Sequence, residues 1–533
     1  LAVGIDFGIH AINRYREERV RGTGIAESMR VTTDQLLVAF FIVTGTTVFG
    51  FGANVTSSLG TIREFGLVAA VGIVFTFFIF GVFLPAAKVL ADRARERLGV
   101  PAFGSSPLGA EGSLLGRVLP VGVGIARVAP VLFLLLVLVS TAGAASYGAG
   151  VESEFAREDF LPPEEPPAYL EYVPAPLQPG EYTVTGTTNF LEERFRTGEQ
   201  DATTVYVEGP LRRDYALEAL WRAGESPPES FVADGGHARE TSIVTVIRGY
   251  AARNESFAAL VDRNDRNDNG IPDDDLPVIY AALLDSPARD RALSYITDDY
   301  TRTRVQYQVE ADASQEAVTA DTRAVADRMR FEATATGNTI VFKAVSDLIA
   351  RSAFVSLVVA MALTLVFLLV VYAILEGLPS LGVANVVPIL VTVAAIAATM
   401  RAADIPFNAL TGTTLAIALG LGVDYSAHLV HRFADEYGEA EDVYAALVAA
   451  VRGTGGALTG SMLTTVSGLG VLVLAITPLL GQFGLLTALS ILYSYLASLL
   501  VLPSTLVVWH RYREFRARTP RLRTLLSRGA GAD

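Results

Sequence analysis

The chain contains no cysteine, only two lysines and only two tryptophans among its 533 residues. The absence of cysteine excludes disulfides and every chemistry that needs a thiolate. The sequence also lacks the phosphate-binding pattern GxxxxGK(S/T), which argues against a chain that hydrolyses ATP itself. No spacing of Ser, His and Asp, or of zinc ligands, rises above chance. Motifs therefore give no sign of an enzyme, and we expect no required cofactor.

Acidic charge is confined to one segment. Residues 148–350 carry 37 Asp and Glu against 19 Lys and Arg, a net charge of −18, so the rest of the chain carries +4 of the total of −14. An acidic surface with arginine in place of lysine is typical of salt-adapted proteins, because salt screens the self-repulsion. A GC-rich genome produces the same lysine-to-arginine bias, and both explanations stay open.

Long apolar runs predict a polytopic α-helical membrane protein, in keeping with a mean hydropathy of +0.40. The first apolar stretch, 1–12, is too short to cross about 30 Å of hydrocarbon unaided. Complete spans are predicted at 36–57, 65–90, 128–147, 352–375, 379–400, 406–430, 453–475 and 481–508.

The predicted organisation separates two membrane segments by a polar one. Its parts are the end of a first transmembrane repeat at 1–90, a cytoplasmic linker at 91–127, one helix at 128–147, an extracytoplasmic α+β domain at 148–350, a second transmembrane repeat at 351–510 and a basic cytoplasmic tail at 511–533. Arginines at the ends of the predicted spans fall on one side of the membrane, and the positive-inside rule makes that side the cytoplasm. The protein is therefore expected in the plasma membrane with 148–350 outside.

The polar segment reads as mixed α and β. Strands are predicted at 203–208, 241–247 and 303–309 from their β-branched residues and alternation, and helices at 214–223 and 314–330. This order suits one or two small α+β subdomains.

One pattern occurs twice, 418 positions apart: LAVGIDFGIHAINRY at 1–15 and LGLGVDYSAHLVHRF at 419–433. Charge-bearing helices that recur at a fixed spacing indicate a pseudo-symmetric membrane transporter. The matched residues are Gly4 with Gly422, Asp6 with Asp424, His10 with His428, Arg14 with Arg432, Thr46 and Thr47 with Thr464 and Thr465, Phe65 with Phe483, and Pro85 with Pro503.

These motifs resemble the resistance-nodulation-division (RND) superfamily, and the nearest subgroup looks like its MmpL-like, Patched-related and hopanoid-transporter-like exporters. The stretch from Gly420 to Tyr425 with Arg432 carries the resemblance most specifically, and 158–162 (EDFLP) agrees with it. Such proteins have twelve helices and two outer domains. The resemblance implies about nine spans here, helices 4 to 12, with the second outer domain. We expect an archaeal, halophilic member whose sequence is N-terminally incomplete.

Asp6 and Asp424 are the candidate coupling residues, because an aspartate at mid-membrane costs about 2.5–3.5 kcal/mol on insertion scales. His10 and His428 follow each aspartate by four positions and share its helix face. Two carboxylates that meet between the halves cannot both ionise cheaply, so they would share a proton. The resemblance agrees, since Asp or Asp–Tyr pairs form the coupling site of related exporters. It implies roles for Asp6, Asp424 and Tyr425, whereas Phe7 breaks the pattern in the first half.

Alternatives exist for each of these residues. The carboxylates could be structural and bonded to Thr46, Thr47, Thr464 and Thr465, or these threonines could line the ion path. The histidines could relay protons or lie at the membrane interface, which we favour. Sodium is an alternative to protons, because carboxylate, hydroxyl and carbonyl oxygens suit a hard cation.

The polar segment contains a stretch similar to a calcium loop. Asp265, Asn267, Asn269 and Asp273 fall at positions 1, 3, 5 and 9, with Gly270 at position 6. Position 12, where a bidentate Glu is expected, is Leu276. The alternative is an acidic surface turn, and any calcium bound here would be structural.

These observations predict a secondary exporter that couples proton or sodium influx to export of a hydrophobic or lipid-like substrate. The expected partners are membrane lipids, an amphiphilic substrate, the coupling ion and, in some relatives, further copies of the chain; no nucleic acid is expected. The alternatives are a Patched-like or sterol-sensing receptor and an accessory of Sec-type protein export. An enzyme is the least favoured function.

Overall fold

The computed structural model describes residues 2–100, 114–151, 161–163, 168–172, 174, 183–194, 202–310 and 313–529. The chain forms two compact units. The membrane unit comprises Leu1–Val173 and Leu348–Asp533, and the polar unit comprises Pro174–Asp347. Residues 158–160 of the EDFLP motif and part of the predicted linker at 91–127 lie outside the described residues.

The membrane unit begins with the helices of the first repeat. The connection from α3 to α4 is a π-helical turn at Ile79–Phe83, and α2 ends in a 3-10 turn at Ala53–Thr56. The helices are α1 (Ala2–Val20), α2 (Ile25–Gly52), α3 (Gly60–Phe78), α4 (Leu84–Arg97), α5 (Leu114–Val118), α6 (Val121–Val128) and α7 (Pro130–Gly148).

The second repeat follows the polar unit. Its helices are α15 (Asn338–Leu375), α16 (Ser380–Ala402), α17 (Ala409–Tyr437), α18 (Val443–Gly470), α19 (Pro478–Leu500) and α20 (Leu502–Gly529). The predicted span at 481–508 is thus divided at Val501, because Pro503 in the first turn of α20 has no N–H for a continuous helix. The tail predicted from residue 511 continues α20 as helix.

Among the described residues, eight helical segments are long and apolar enough to cross a membrane. They are Ile25–Thr56, Gly60–Arg97, Pro130–Gly148, Asn338–Leu375, Ser380–Ala402, Leu410–Tyr437, Val443–Leu474 and Pro478–Leu500. The segment Leu410–Tyr437 is central, with 94% of its apolar stretch buried, whereas only 6% of that of Pro130–Gly148 is buried inside the protein. The polytopic α-helical architecture predicted from the sequence is confirmed.

The internal repeat extends to the helix boundaries. Helices α18, α19 and α20 begin 418 positions after α2, α3 and α4, and the 3-10 turn at Val471–Leu474 repeats Ala53–Thr56 at the same spacing. The halves also exchange partners, since α1 packs on α18 and α17 packs on α2. Gly50 and Gly420 allow α2 to approach α17, because a Cβ on Gly50 would lie 2.7 Å from Cα of Gly420.

The polar unit is built on a four-stranded antiparallel sheet in the order β4-β5-β1-β6, with β2 paired to β3 separately. Its strands are β1 (Ala202–Glu208), β2 (Ala233–Asp234), β3 (His237–Ala238), β4 (Glu240–Thr241), β5 (Arg302–Gln308) and β6 (Glu332–Thr336). Its helices are α8 (Thr183–Arg194), α9 (Ala216–Arg222), α10 (Ile243–Ala251), α11 (Glu255–Arg263), α12 (Leu276–Leu284), α13 (Arg289–Leu293) and α14 (Gln315–Arg328).

The strand predicted at 241–247 is wrong. Only Glu240–Thr241 is strand, and α10 begins at Ile243. Ser242 and Thr245 form a reciprocal capping box that starts the helix, and the buried Ile243, Val246 and Ile247 share one helical face. The β-branched composition favours a strand, but the capping box and the burial of this face stabilise a helix instead. The strands predicted at 203–208 and 303–309 are β1 and β5.

Glu240 on β4 is a buried carboxyl group in the core of the polar unit. Its Oε1 accepts a hydrogen bond from Ser242 Oγ at 2.8 Å, whereas its Oε2 is buried and has no hydrogen-bond partner in the part of the chain that the structure describes. It pairs across the sheet with Tyr307, which is fully buried. Burial raises the pKa of Glu240 from 4.5 to about 8, although the Ser242 hydroxyl and Arg248 oppose the shift.

We predict that this part of the polar unit loses stability as the pH rises. The folded state holds the Glu240 proton more tightly than the unfolded state does. The contribution of this proton to the free energy of unfolding is therefore complete below about pH 4.5 and is lost as the pH rises through about 8. Glu240→Gln should remove this dependence and stabilise the β4–β5 backbone at pH 8 by about 1–3 kcal/mol, the cost of an unsatisfied buried group. Amide hydrogen exchange across pH 5–9 measures it.

The matched control is Glu332→Gln, which changes an exposed glutamate on β6 of the same sheet. It should leave the pH dependence of exchange at β4–β5 as it is in the wild type. A wild-type protein whose β4–β5 exchange, corrected for intrinsic rates, is constant from pH 5 to 9 would contradict the assignment.

Candidate functional site

Asp6 and Asp424 meet inside the bundle. They lie on α1 and α17, the repeated helices, and their side chains are almost fully buried, with residue exposures of 3% and 6%. The two carboxyl groups are close enough to interact as hydrogen-bond partners when one carries a proton. One oxygen of each, Oδ1, is buried without a hydrogen-bond partner among the described residues. Such a pair favours states in which a proton or another cation reduces its charge.

His10 and His428 extend the site by one helical turn. Their imidazole rings stack in parallel, with centroids 4.1 Å apart and 2° between the ring planes. His428 Nε2 lies 3.2 Å from Asp424 Oδ1, and His10 Nε2 lies 3.7 Å from Asp6 Oδ1. Both histidines are buried inside the protein. The rings face each other rather than the protein surface, and the proton-relay and interfacial roles of the two histidines both stay predictions.

The two halves differ beside the carboxyl groups. Tyr425 is buried, and its phenol is close enough to both aspartates to interact with them electrostatically. Its ring packs edge-on against Tyr495, with centroids 6.0 Å apart. The equivalent Phe7 instead stacks on Phe40 at 4.4 Å. The phenol hydroxyl is therefore present on one side of the site, while the other side is closed by apolar rings.

Three of the four threonines, Thr46, Thr47 and Thr464, form hydrogen bonds to backbone carbonyls. Thr46 donates to backbone carbonyls of its own helix, and Thr47 donates to Val43 O and, at 3.0 Å, to Gly420 O on α17. Thr464 is exposed and also bonds to carbonyls of its own helix, whereas Thr465 is buried. The bond from Thr47 to Gly420 O joins α2 to α17, and none of the bonds named here goes to the carboxyl groups of Asp6 or Asp424.

A cavity of about 40 Å³ lies next to the stacked histidines. This volume accommodates roughly two or three water molecules. Residues from four helices line it: His10, Asn13, Arg14 and Glu17 from α1, Gln35, Leu36 and Ala39 from α2, His428, His431, Arg432 and Asp435 from α17, and Gly453, Thr454 and Ala457 from α18.

His431 and Asp435 were not singled out from the sequence. His431 Nδ1 lies 3.1 Å from Glu376 Oε1, and its Nε2 lies 4.0 Å from Asp435 Oδ2. Among the described residues these three form the one group of His and acidic side chains compact enough to hold a metal ion. The acids face opposite nitrogens of the ring, however, which suits a hydrogen-bonded relay better than chelation. The spacing of His428 and His431, three residues apart after Asp424, is the signal that could have identified this residue.

The calcium-like loop of the polar unit is closed by its own hydrogen bonds. Asp265 accepts the backbone N–H of Gly270 at 2.6 Å, and Asp273 accepts that of Arg266 at 2.8 Å. Gly270 has φ +80°, which glycine adopts without strain. The side-chain amides of Asn267 and Asn269 both donate to Glu218.

Glu218 supplies the carboxylate that the loop lacks at position 12. It comes from α9, is almost fully buried and also contacts Arg222, whose Nε lies 3.3 Å from its Oε2. The donor set of carboxylate and amide oxygens fits calcium if the two amide groups turn their oxygens toward the ion. The sequence could not reveal Glu218, since it precedes the loop by about 50 positions.

We predict that calcium raises the unfolding temperature of the polar unit by about 5–10 °C at a hundredfold excess over its Kd. Glu218→Gln should abolish most of this rise, because it removes the charge opposite Asp265. Trp221 on α9 reports the transition by fluorescence in a Trp509→Phe background, since the chain has only these two tryptophans. Glu225→Gln, an exposed change near α9, should keep the full response. An unchanged unfolding temperature in calcium would leave the loop a structural turn.

Comparison with known proteins agrees with the bundle. The model of the MMPL family matches residues 1–102 and 236–527. A protein of Methanocaldococcus jannaschii, whose name says only that it is a membrane protein, is 25% identical over 393 residues, which cover 72% of this chain and 92% of that protein. The apo-petrobactin exporter of Bacillus anthracis is 34% identical over 95 residues, which cover 18% of this chain and 13% of the exporter.

Two solved structures share the fold. SecDF in a super-membrane-facing form has a TM-score of 0.51 at 15% identity, and SecDF of Thermus thermophilus, a translocon-associated membrane protein, has a TM-score of 0.52 at 16% identity. The matches cover 97% and 96% of this chain and 54% of each SecDF chain, so the chain spans about half the length of these structures. With the family model matched over most of its residues, the chain belongs to the MMPL family and is a multi-pass membrane protein.

Proposed function

We propose that this protein is a secondary exporter, in which cation influx through Asp6 and Asp424 drives export of a hydrophobic or lipid-like substrate across the plasma membrane. The observation that carries the proposal is the buried carboxyl pair, formed by equivalent helices of two repeats and left with one unpartnered oxygen on each side. An ionisable group inside the membrane is a functional-site hypothesis by default.

The physical argument rests on how the pair changes with occupancy. Two ionised carboxylates in a buried site repel each other and lack solvation, whereas one bound proton or cation reduces both penalties. Occupied and empty states therefore favour different packings of α1 against α17. Since each helix also packs on the opposite repeat, such a change moves the halves relative to each other, as alternating access requires.

The family membership supports transport rather than enzymatic chemistry, and the Bacillus anthracis relative is an exporter by name. The likeness to SecDF shows the fold alone and does not favour a role in protein export. A receptor that does not couple to an ion could be built on the same helices. Ion-driven transport is the property that separates the proposal from both of these alternatives.

We predict that Asp424→Asn reduces ion-driven transport at least tenfold. The substitution keeps the side-chain volume and removes the titratable carboxyl group from the site. The protein is reconstituted in liposomes with pH and sodium gradients imposed separately. Proton flux is followed with an enclosed pH dye, and movement of a nitrobenzoxadiazole-labelled phospholipid serves as the lipid-like probe.

Asp404→Asn is the matched control, because Asp404 is exposed in the turn between α16 and α17 and asparagine tolerates its φ of +49°. It should transport at the wild-type rate. Transport that persists in Asp424→Asn with full ion dependence contradicts the coupling role. A folded wild-type protein that conducts no ion and moves no probe under either gradient favours a receptor or secretion accessory.

A further inference from the structure

The stacking of His10 and His428 limits how many protons the two rings can bind at once. Two imidazole rings 4.1 Å apart in parallel planes are compatible as neutral rings or with one charge between them. Two imidazolium ions in this arrangement would repel each other strongly inside the bundle. The pair therefore binds and releases one proton at a time. This suits two rings that pass protons on, rather than rings that hold two protons together.

The free nitrogens of the pair point toward the aspartates. Nε2 of each ring is buried without a hydrogen-bond partner among the described residues and lies near the unpartnered Oδ1 of the aspartate on its own helix. Imidazole nitrogen binds a proton at physiological pH, whereas sodium prefers oxygen ligands. An imidazole beside each carboxyl group favours the proton as the coupling ion.

The cavity continues from the histidines toward the ends of α1 and α17 at which the arginines lie. Its charged or titratable linings beyond the histidine pair are Arg14 and Glu17 on α1 and His431, Arg432 and Asp435 on α17, whereas α2 and α18 contribute only uncharged residues. The arginines are ion-paired, since Arg14 contacts Glu17 at 2.6 Å and Arg432 contacts Glu436 at 2.5 Å.

His431 and Asp435 lie where this cavity approaches solvent. The Asp435 side chain is 40% exposed, whereas that of His431 is 9% exposed and lies between Asp435 and Glu376. The sequence of groups is therefore a carboxyl pair, an imidazole pair, a water-sized cavity and a second imidazole beside an exposed carboxylate. His10, His428, His431 and Asp435 all line this one cavity, so water inside it can connect the two imidazole groups.

We propose that this series is the cytoplasmic exit for the proton released by Asp6 and Asp424, with His10 and His428 as the relay and His431 and Asp435 as the outlet. The carboxyl O–H bond breaks as an N–H bond forms at Nε2 of one imidazole. The N–H bond at Nδ1 of that imidazolium then breaks as cavity water takes this proton and passes it to Asp435, which leaves the ring neutral with its proton on Nε2. This inference rests on the proposed function and deepens it, since it names the proton as the coupling ion.

Histidine NMR tests the relay without a substrate. The chain has five histidines, at positions 10, 237, 428, 431 and 510, so ring-labelled protein in detergent gives a spectrum that single substitutions can assign. His10 and His428 should together bind no more than one proton between pH 4 and 9, and Asp424→Asn should shift their joint titration. The signals of His237 should not move. Two rings that ignore Asp424→Asn would overturn the relay.

The transport arm uses a double substitution, His10→Phe with His428→Phe, which keeps two stacked rings and removes both proton acceptors. We expect at least a tenfold loss of pH-gradient-driven flux, and a smaller loss in Asp435→Asn. The matched control is His237→Phe, because His237 stacks on Trp221 at 3.8 Å in the polar unit. It should transport normally. NMR signals of His237 and His510 that are unchanged in the double variant verify that it is folded. If these signals change, the single substitution His428→Asn is tested for loss of flux in its place.

The outcomes separate the two proposals. If the double variant transports with the pH dependence of the wild type while Asp424→Asn is inactive, the exit route is wrong and the coupling role of the aspartates stands. Transport driven by sodium alone, unaffected by the histidine changes, would likewise overturn the route. If the wild type responds to neither gradient, the proposed exporter function fails first.

Discussion

Two carboxyl groups buried against each other are the constraint on which the rest of the membrane unit depends. Asp6 and Asp424 can persist in this interior only if their charge is compensated, and no fixed cation lies against them among the described residues. In the function proposed above, a mobile proton or cation supplies that compensation. The packing of each motif helix on the opposite repeat, the stacked imidazoles and the adjoining cavity all become intelligible as parts of a site whose occupant changes.

Much of the membrane unit could be predicted because its information is local and repeated. Apolar runs predict the spanning helices, and the 418-residue spacing pairs the two halves. The spacing also indicated that Asp6 and Asp424 would meet, since equivalent helices of two repeats are related by a pseudo-two-fold axis. Helix ends were less predictable. The break at Val501 depends on Pro503, and α10 depends on the cap at Ser242.

What the sequence could not reveal were contacts between distant segments. The threonines beside the motif resemble ligands for the aspartates, but Thr47 is occupied by Gly420 O across a close helix crossing. His10 and His428 are 418 positions apart, and only folding shows that their rings stack. Glu218 reaches the loop at Asp265 from another helix. In each case a nearby polar group of the right chemistry was visible, but its partner was set by tertiary packing.

The site departs from symmetry at Tyr425 and Phe7, and this difference gives the two halves different chemistry. The imidazoles and carboxyl groups are duplicated, whereas the position of Tyr425 is taken in the first repeat by Phe7, which stacks on Phe40. A hydroxyl on one side offers the carboxyl pair a hydrogen-bond donor that the other side lacks. The two aspartates are therefore chemically unequal although their helices are equivalent. If a proton couples transport as proposed, unequal carboxyl groups bind and release it in a preferred order, while the ion gradient sets the direction of the cycle.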